Sequence, residues 1–311
     1  MDSDVSLCVR HTLRVLARGR ATDYGEVWRR LVVVLAGAFA ECEASHRAPA
    51  VARKEDGSPL SEVDTYVQSL IVSVIEEVDP DPSVLAEEGL NTVASSPRRS
   101  ERLWVIDPID GTTEFLRPGG REYCTAVAVL HRGDPVACLV FCPSLGRGGR
   151  EMIVSVDGSG HPPQLNGSTA KALSPGECVG AVSATRSRNS PRRGFERALA
   201  RRGVQVKTKA SSLTLDMVRT CLDLRAATDL GPFDWFHRDR QLCWDALPGM
   251  AVAHAVGFAT VDREGRSLTP LCGELLESSA PELSSVVVAA PDKLGRAIRC
   301  LEKEPTAGVE R

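Results

Sequence analysis

Trp104-Val105-Ile106-Asp107-Pro108-Ile109-Asp110-Gly111-Thr112-Thr113-Glu114-Phe115 is the stretch on which the reading of this chain turns. An apolar run ends in two carboxylates three residues apart, and a glycine and two hydroxyls follow at once. Val105 and Ile106 predict a buried strand. Pro108 has no N–H to donate and predicts the end of that strand as a central ladder, while Gly111 permits a tight turn into the next element. On that path Asp107 and Asp110 meet at one point. Two carboxylates so close repel each other and raise one pKa unless a cation lies between them, and an oxygen-only donor set suits a hard ion such as Mg²⁺. Thr112 and Thr113 then offer hydroxyls and free N–H groups at an expected helix N-terminus, a setting that accepts a phosphate. An isolated Asp-x-x-Asp is more often a turn or a helix cap. Its flanks here, Trp-Val-Ile before and Gly-Thr-Thr after, favour the metal and phosphate reading.

Three further segments carry the same chemistry. Lys54 to Asp64 reads Lys-Glu-Asp-Gly-Ser-Pro-Leu-Ser-Glu-Val-Asp, Ala86-Glu87-Glu88-Gly89 supplies an acidic pair, and Trp244-Asp245-Ala246-Leu247-Pro248-Gly249 precedes Ala255-Val256-Gly257. Read singly, Glu87-Glu88 is a solvated acidic turn after Pro80 and Pro82, and Asp245 caps the helix that follows it. A capping carboxylate can also hold a metal. In this order and spacing, over residues 50–292, the four segments resemble the inositol monophosphatase superfamily of metal-dependent, lithium-sensitive phosphatases, with Ser61 in place of the usual threonine.

The alternation of strands and helices in the second half implies an α/β layered core, and the resemblance implies the layered αβαβα sandwich of sugar phosphatases. It implies a first Mg²⁺ held by Glu87, Asp107 and the backbone carbonyl of Ile109, and a second held by Asp107, Asp110 and Asp245. Asp64, helped by Glu87, would anchor a third, weaker ion. Thr112, paired with Asp64 or Glu87, would position the attacking water, and the N–H groups of Gly111, Thr112 and Thr113 would grip the phosphate. Asp64, Glu87 and Thr112 are thus the expected catalytic residues. No aspartate or cysteine sits in a nucleophile motif, so water rather than an enzyme side chain is the expected nucleophile. The family's lithium inhibition implies that Li⁺ displaces a loosely held Mg²⁺.

The substrate-reading residues are less familiar. Glu114 stands where inositol phosphatases mostly carry asparagine, and Glu114-Phe115 with Leu116-Arg117-Pro118-Gly119-Gly120-Arg121-Glu122 is closer to the 3'(2'),5'-bisphosphate nucleotidase branch. Before Trp244-Asp245, where inositol phosphatases place a glutamate, this chain has Asp234-Trp235-Phe236-His237-Arg238-Asp239-Arg240. Arg238 suits a second phosphate or a carboxylate, Asp245 would also touch the substrate, and Trp235 or Phe236 could stack on a base. The alternative is a surface loop bearing a charge cluster. Leu247 and Pro248 replace the small residues expected after Trp-Asp. The expected activity is a phosphomonoesterase acting on a phosphorylated nucleotide or nucleoside. Inositol or sugar phosphates, including histidinol phosphate, come second, and a non-catalytic phospho-ligand binder third.

With 311 residues, 42% hydrophobic and 25% charged, the chain lies within globular bounds. A net charge of −3 creates no broad basic field, so nucleic acid is not an expected partner. The arginines do cluster, at Arg186 and Arg188, Arg192-Arg193, Arg201-Arg202, and Arg238 and Arg240, mostly as solvated faces. The ten cysteines are scattered without close pairing, and Cys138 and Cys142 lie in an apolar run, which reads as reduced core packing in a cytoplasmic protein. Residues 31–40 are apolar but too few to span a membrane, and residues 1–24 carry no recognisable targeting pattern. The expected organisation is a helical segment over 1–45, an α+β lobe over 46–150 with the metal site, and an α/β lobe over 151–311 that completes it. Relatives are often dimers, so the resemblance also allows a homodimer. Expected elements include helices at 32–42, 63–78, 194–202 and 213–222. Expected strands lie at 124–130, 136–141, 152–156, 179–184, 204–207 and 226–230. Ser61 and Asp64 read as a capping box.

Overall fold

The computed structural model describes residues 24–45, 49–53, 59–92, 101–174, 180–185, 199–201, 203–207, 209 and 211–302. The chain begins with helix α1 (Gly25–Ala44), a short hairpin of β1 (Val51–Arg53) and β2 (Pro59–Ser61), and helix α2 (Glu62–Val78). Strands β3 (Val84–Ala86) and β4 (Arg102–Asp110) follow, then a single turn of helix, α3 (Thr112–Phe115). Next come β5 (Cys124–His131), β6 (Asp134–Cys142), β7 (Met152–Val156), β8 (Gln164–Leu165) and β9 (Ser168–Thr169). β3 to β9 form one seven-stranded sheet in chain order, with β3 parallel to β4 and the remaining pairs antiparallel.

The second half supplies β10 (Ala181–Thr185), β11 (Gln205–Val206), α4 (Leu213–Cys221), β12 (Trp235–Leu242) and α5 (Cys243–Ala255). It closes with β13 (Ala259–Val261), α6 (Gly273–Leu276), β14 (Glu282–Ala289) and α7 (Pro291–Glu302). Its five-stranded sheet runs in the order β11-β10-β12-β14-β13.

Period-two alternation decides how these elements layer. Along β4, Leu103 and Val105 enter one core while Trp104 and Ile106 enter another. On the Trp104 side lie Leu31 and Leu35 of α1 with Val67 and Ile71 of α2. On the Leu103 side lie Leu215 and Val218 of α4 with Leu247 and Met250 of α5, and across those helices Phe236, Val286 and Val288 of the second sheet. That sheet's opposite face, through Trp235, Val287 and Ala289, meets Ala297 and Leu301 of α7. The layers therefore run αβαβα, as expected. Each fully buried aliphatic side chain in these cores contributes about 1.5–3 kcal/mol, and the middle helical layer buries them on both sides.

Several expectations need correction. β4 does not stop at Pro108. Asp107 pairs with Ala126 but Asp110 with Cys124, so the strand carries one extra residue there, a bulge that accommodates the proline's missing donor. Residues 226–230 form turns rather than a strand, and the arginine-rich segment before Trp244 is β12, paired on both edges inside the second sheet. The first sheet continues past residue 150 to Thr169, and we propose that the lobes divide between that strand and Ala181. Residues 54–58, Arg186, Arg188, Arg192, Arg193, Arg202 and most of the helix expected at 194–202 lie outside the described residues. The hairpin before residue 135 turns on Arg132 and Gly133, both at positive φ (54° and 86°), the conformation of a type I′ turn. The described cysteines are free thiols, most of them buried. Among the described residues no helix is long and apolar enough to cross a membrane.

Candidate active site

The β4 alternation that sends Leu103 and Val105 toward the middle helices carries Asp107 the same way, and the bulge then swings Asp110 onto the start of α4. Asp245 enters from the first turn of α5. Oxygen atoms of Asp107, Asp110 and Asp245 lie within 4.8 Å of one another. Gly111 follows at φ +94°, and a Cβ there would stand 3.0 Å from the Ser212 backbone nitrogen, so both conformation and space require glycine.

The electrostatics are those of a site built for positive charge. Both carboxylate oxygens of Asp107 are buried and receive no hydrogen bond. Burial, then the carboxylates of Glu87, Asp110 and Asp245, pushes its pKa well above the usual range. Asp245 is pushed the same way by burial and by Asp110 and Glu87, with the Arg238 charge opposing. Asp110 rises to about 6 because of burial, although three donors oppose the rise. Ser212 Oγ donates to its Oδ2 at 2.6 Å, Thr214 N–H to the same oxygen at 2.7 Å, and Leu213 N–H to Oδ1 at 3.2 Å. A divalent cation among these oxygens would satisfy Asp107 and remove the mutual repulsion, and the donor chemistry suits Mg²⁺.

Asp64 and Glu87 flank this group. Asp64 is fully buried at the start of α2, where Ser61 donates to its Oδ2 through N–H (2.9 Å) and Oγ (2.5 Å), the expected capping box. Its Oδ1 lies 3.4 Å from Thr112 Oγ1, which is also 3.1 Å from the Ile109 carbonyl oxygen. The hydroxyl proton can serve one of these acceptors at a time. Glu87 follows β3, with its N–H on the Ile106 carbonyl at 3.1 Å. The backbone bonds of the turn after Gly111 run from the N–H groups of Glu114 and Phe115 back to the Gly111 carbonyl, so those of Gly111, Thr112 and Thr113 precede them. Thr112 is buried and Thr113 exposed.

The substrate residues fall out less evenly. Arg238 is half-buried on β12, and its charge acts on Asp245. Trp235 and Phe236 are 1% and 0% exposed within two different cores, so neither can stack on a base. Arg240 is exposed and pairs with Glu282 at 2.9 Å. Leu247 and Pro248 are buried within α5, and beside them Gly249 meets Met217 of α4 so closely that a Cβ would lie 2.6 Å from the Met217 Cβ.

Two features escape a reading of sequence. Ser212 caps α4 by accepting the Leu215 N–H at 2.9 Å while its own hydroxyl donates to Asp110. A Ser-Ser pair before Leu213 was the available cap signal. Glu114, 3% exposed, takes Arg117 at 2.5 Å and Lys209 at 2.8 Å, and Lys209 continues to Glu122 at 2.6 Å. Burial alone would raise the Glu114 pKa, but Arg117, Lys209 and the Arg121 N–H pull it down to about 2.

A family model described as "Inositol monophosphatase family" matches residues 20–296. The 3'(2'),5'-bisphosphate nucleotidase CysQ of Salmonella typhimurium is 36% identical over 95 residues, 30% of this chain and 37% of that protein. The match thus spans about a third of that relative. The fructose-1,6-bisphosphatase/inositol-1-monophosphatase of Thermotoga maritima is 25% identical over 243 residues, covering 76% of this chain and 85% of its own. Among solved structures, Staphylococcal inositol monophosphatase-1 in a lithium-chloride-soaked inhibitory complex superposes with a TM-score of 0.72 at 14% identity, covering 93% of this chain and 97% of that one, and so shares the fold.

Proposed function

The chain belongs to the inositol monophosphatase family, and from that premise we propose that it is a Mg²⁺-dependent phosphoric monoester hydrolase acting on a small phosphorylated metabolite. The observation that carries this reading is Asp107, whose two buried oxygens lack any donor beside the carboxylates of Asp110 and Asp245.

In this reading Glu87, Asp107 and the Ile109 carbonyl would hold one ion, Asp107, Asp110 and Asp245 would hold a second, and Asp64 with Glu87 would hold a weaker third. Bound there, Mg²⁺ supplies charge for the phosphate oxygens and the leaving group and lowers the pKa of the attacking water. Thr112, hydrogen-bonded to Asp64, orients that water, and the buried Asp64 carboxylate accepts the proton passed along the pair. The N–H groups of Gly111, Thr112 and Thr113 bind the phosphate oxygens and hold the phosphorus in line. Asp245 would also contact the substrate.

For the substrate, a phosphorylated nucleotide or nucleoside is favoured. The CysQ relative supports it, as does Arg238 beside Asp245, a half-buried guanidinium suited to a second phosphate. An inositol or sugar phosphate is the second reading, favoured by the Thermotoga relative's longer match. The free thiols suit a reducing compartment such as the cytoplasm, and a homodimer belongs to the same reading. Phosphate release from adenosine 3',5'-bisphosphate, inositol 1-phosphate, fructose 1,6-bisphosphate and histidinol phosphate tests the choice. Preference for the bisphosphate nucleotide, lost selectively in Arg238→Met, is expected. Preference for inositol 1-phosphate unaffected by that substitution would refute it.

A further inference from the structure

α2 faces the acidic site with more than Asp64. One turn further on, Gln68 is buried (7% exposed) on the same side of the helix. Its carboxamide meets the acidic turn at two points: the Glu88 N–H donates to Gln68 Oε1 at 3.0 Å, and Gln68 Nε2 donates to the Glu88 carbonyl at 3.2 Å. A backbone N–H facing one end and a carbonyl facing the other fix the amide's orientation. The residue so clamped adjoins Glu87, whose carboxylate acts on both Asp107 and Asp245.

We propose that Gln68 is a positioning residue, its side chain clamping the Glu88 backbone and thereby holding Glu87 against Asp107. The inference rests on the reading of Glu87 as a ligand. Glu87 sits on a turn that ends in Gly89 at φ +77° and is tied to the sheet by its own N–H on Ile106. The Gln68 clamp adds a second tether, from the helix that also carries Asp64. One helix thereby sets the spacing between the Thr112–Asp64 pair and the Glu87 carboxylate. Partners hydrogen-bonded to a ligand itself typically change metal affinity or activity 10–100-fold when lost, and Gln68 acts one residue removed, through the Glu88 backbone.

Gln68→Met keeps length and removes both hydrogen bonds. In the metal-free protein, exchange at the Glu88 amide should accelerate at least about tenfold, because its acceptor is gone. Mg²⁺ binding by calorimetry should weaken by about 10–100-fold. kcat at subsaturating Mg²⁺ should fall while KM for the phosphate ester stays level; a general loss of folded protein would do the same, but it would lower the calorimetric stoichiometry and leave the Mg²⁺ affinity unchanged. Gln68→Glu keeps the acceptor for the Glu88 N–H and should retain most of the exchange protection. Unchanged Glu88 exchange in Gln68→Met would overturn the clamp. Faster exchange with Mg²⁺ affinity and kcat within twofold of wild type would overturn the positioning role. A wild type that binds Mg²⁺ yet releases no phosphate from any ester would instead refute the proposed function, with exchange and calorimetry still deciding for or against Gln68.

Discussion

Asp110 shows how much of this site one residue can involve. It is a carboxylate among carboxylates, yet three donors from the start of α4 hold it and oppose the rise that burial causes. Ser212→Ala removes the shortest of these bonds and should weaken Mg²⁺ by about 10–100-fold, measurable by calorimetry, with the helix cap lost as well at about 1 kcal/mol. Thr112 tests the other half of the chemistry. Thr112→Ala should lower kcat by about a hundredfold or more while leaving Mg²⁺ affinity close to wild type, and Thr112→Ser should restore much of the rate. Asp107, Asp110 and Gly111 were legible in the sequence because they are contiguous. Ser212 was not, because it reaches Asp110 across 102 positions and only the fold brings the two together.

Among the elements, β4 and the α4–α5 pair do most to assemble the cluster. Pro108, expected to end β4, sits instead at its bulge, where the extra residue reorients Asp110 and where the Pro108 carbonyl accepts the Thr125 hydroxyl at 2.7 Å. β12 is absent from the expected strands because Arg238, Asp239 and Arg240 mask its alternation. The two strands it pairs with are remote in sequence, and the cores on its two faces bury Trp235 and Phe236, which would otherwise look like an aromatic platform. α4 carries the donors to Asp110 and α5 carries Asp245, and Gly249 lets them touch. Gly249→Ala would press a Cβ against the Met217 Cβ, an atom that no change of rotamer can move. It should cost about 1–3 kcal/mol of stability, read by denaturant unfolding, and weaken Mg²⁺ because Asp110 and Asp245 move apart.

The whole molecule carries the cluster's charge as a pH dependence. Asp110 has a folded pKa of about 6, raised above its unfolded value near 3.9. The metal-free fold therefore binds the extra proton and loses that increment of stability as pH rises from about 4 through 6. Asp107 and Asp245 are raised in the same direction. His254, whose pKa burial lowers, pushes oppositely near neutrality. Glu114, held near 2, adds stability above its unfolded pKa that is lost only as pH falls toward 2. The difference in Tm between Mg²⁺ and EDTA isolates the cluster: it should widen as pH rises from 5 to 7, since bound Mg²⁺ displaces the protons. At this scale an α/β layered core was legible from the alternation of elements, and the αβαβα order came only through the resemblance that four motifs in order carry. The extent of the first sheet was not, because the short β8 and β9 have too few residues to show alternation.

The most direct test is phosphate release as Mg²⁺ is titrated into metal-free wild type and Asp107→Asn side by side, each with its Tm recorded. Saturable activation of the wild type is predicted, abolished by EDTA and reduced at least about a thousandfold in Asp107→Asn. The variant's metal-free Tm should equal or exceed wild type because a buried, donorless charge has gone. Release that persists in EDTA, or near-normal turnover in Asp107→Asn, would contradict the account.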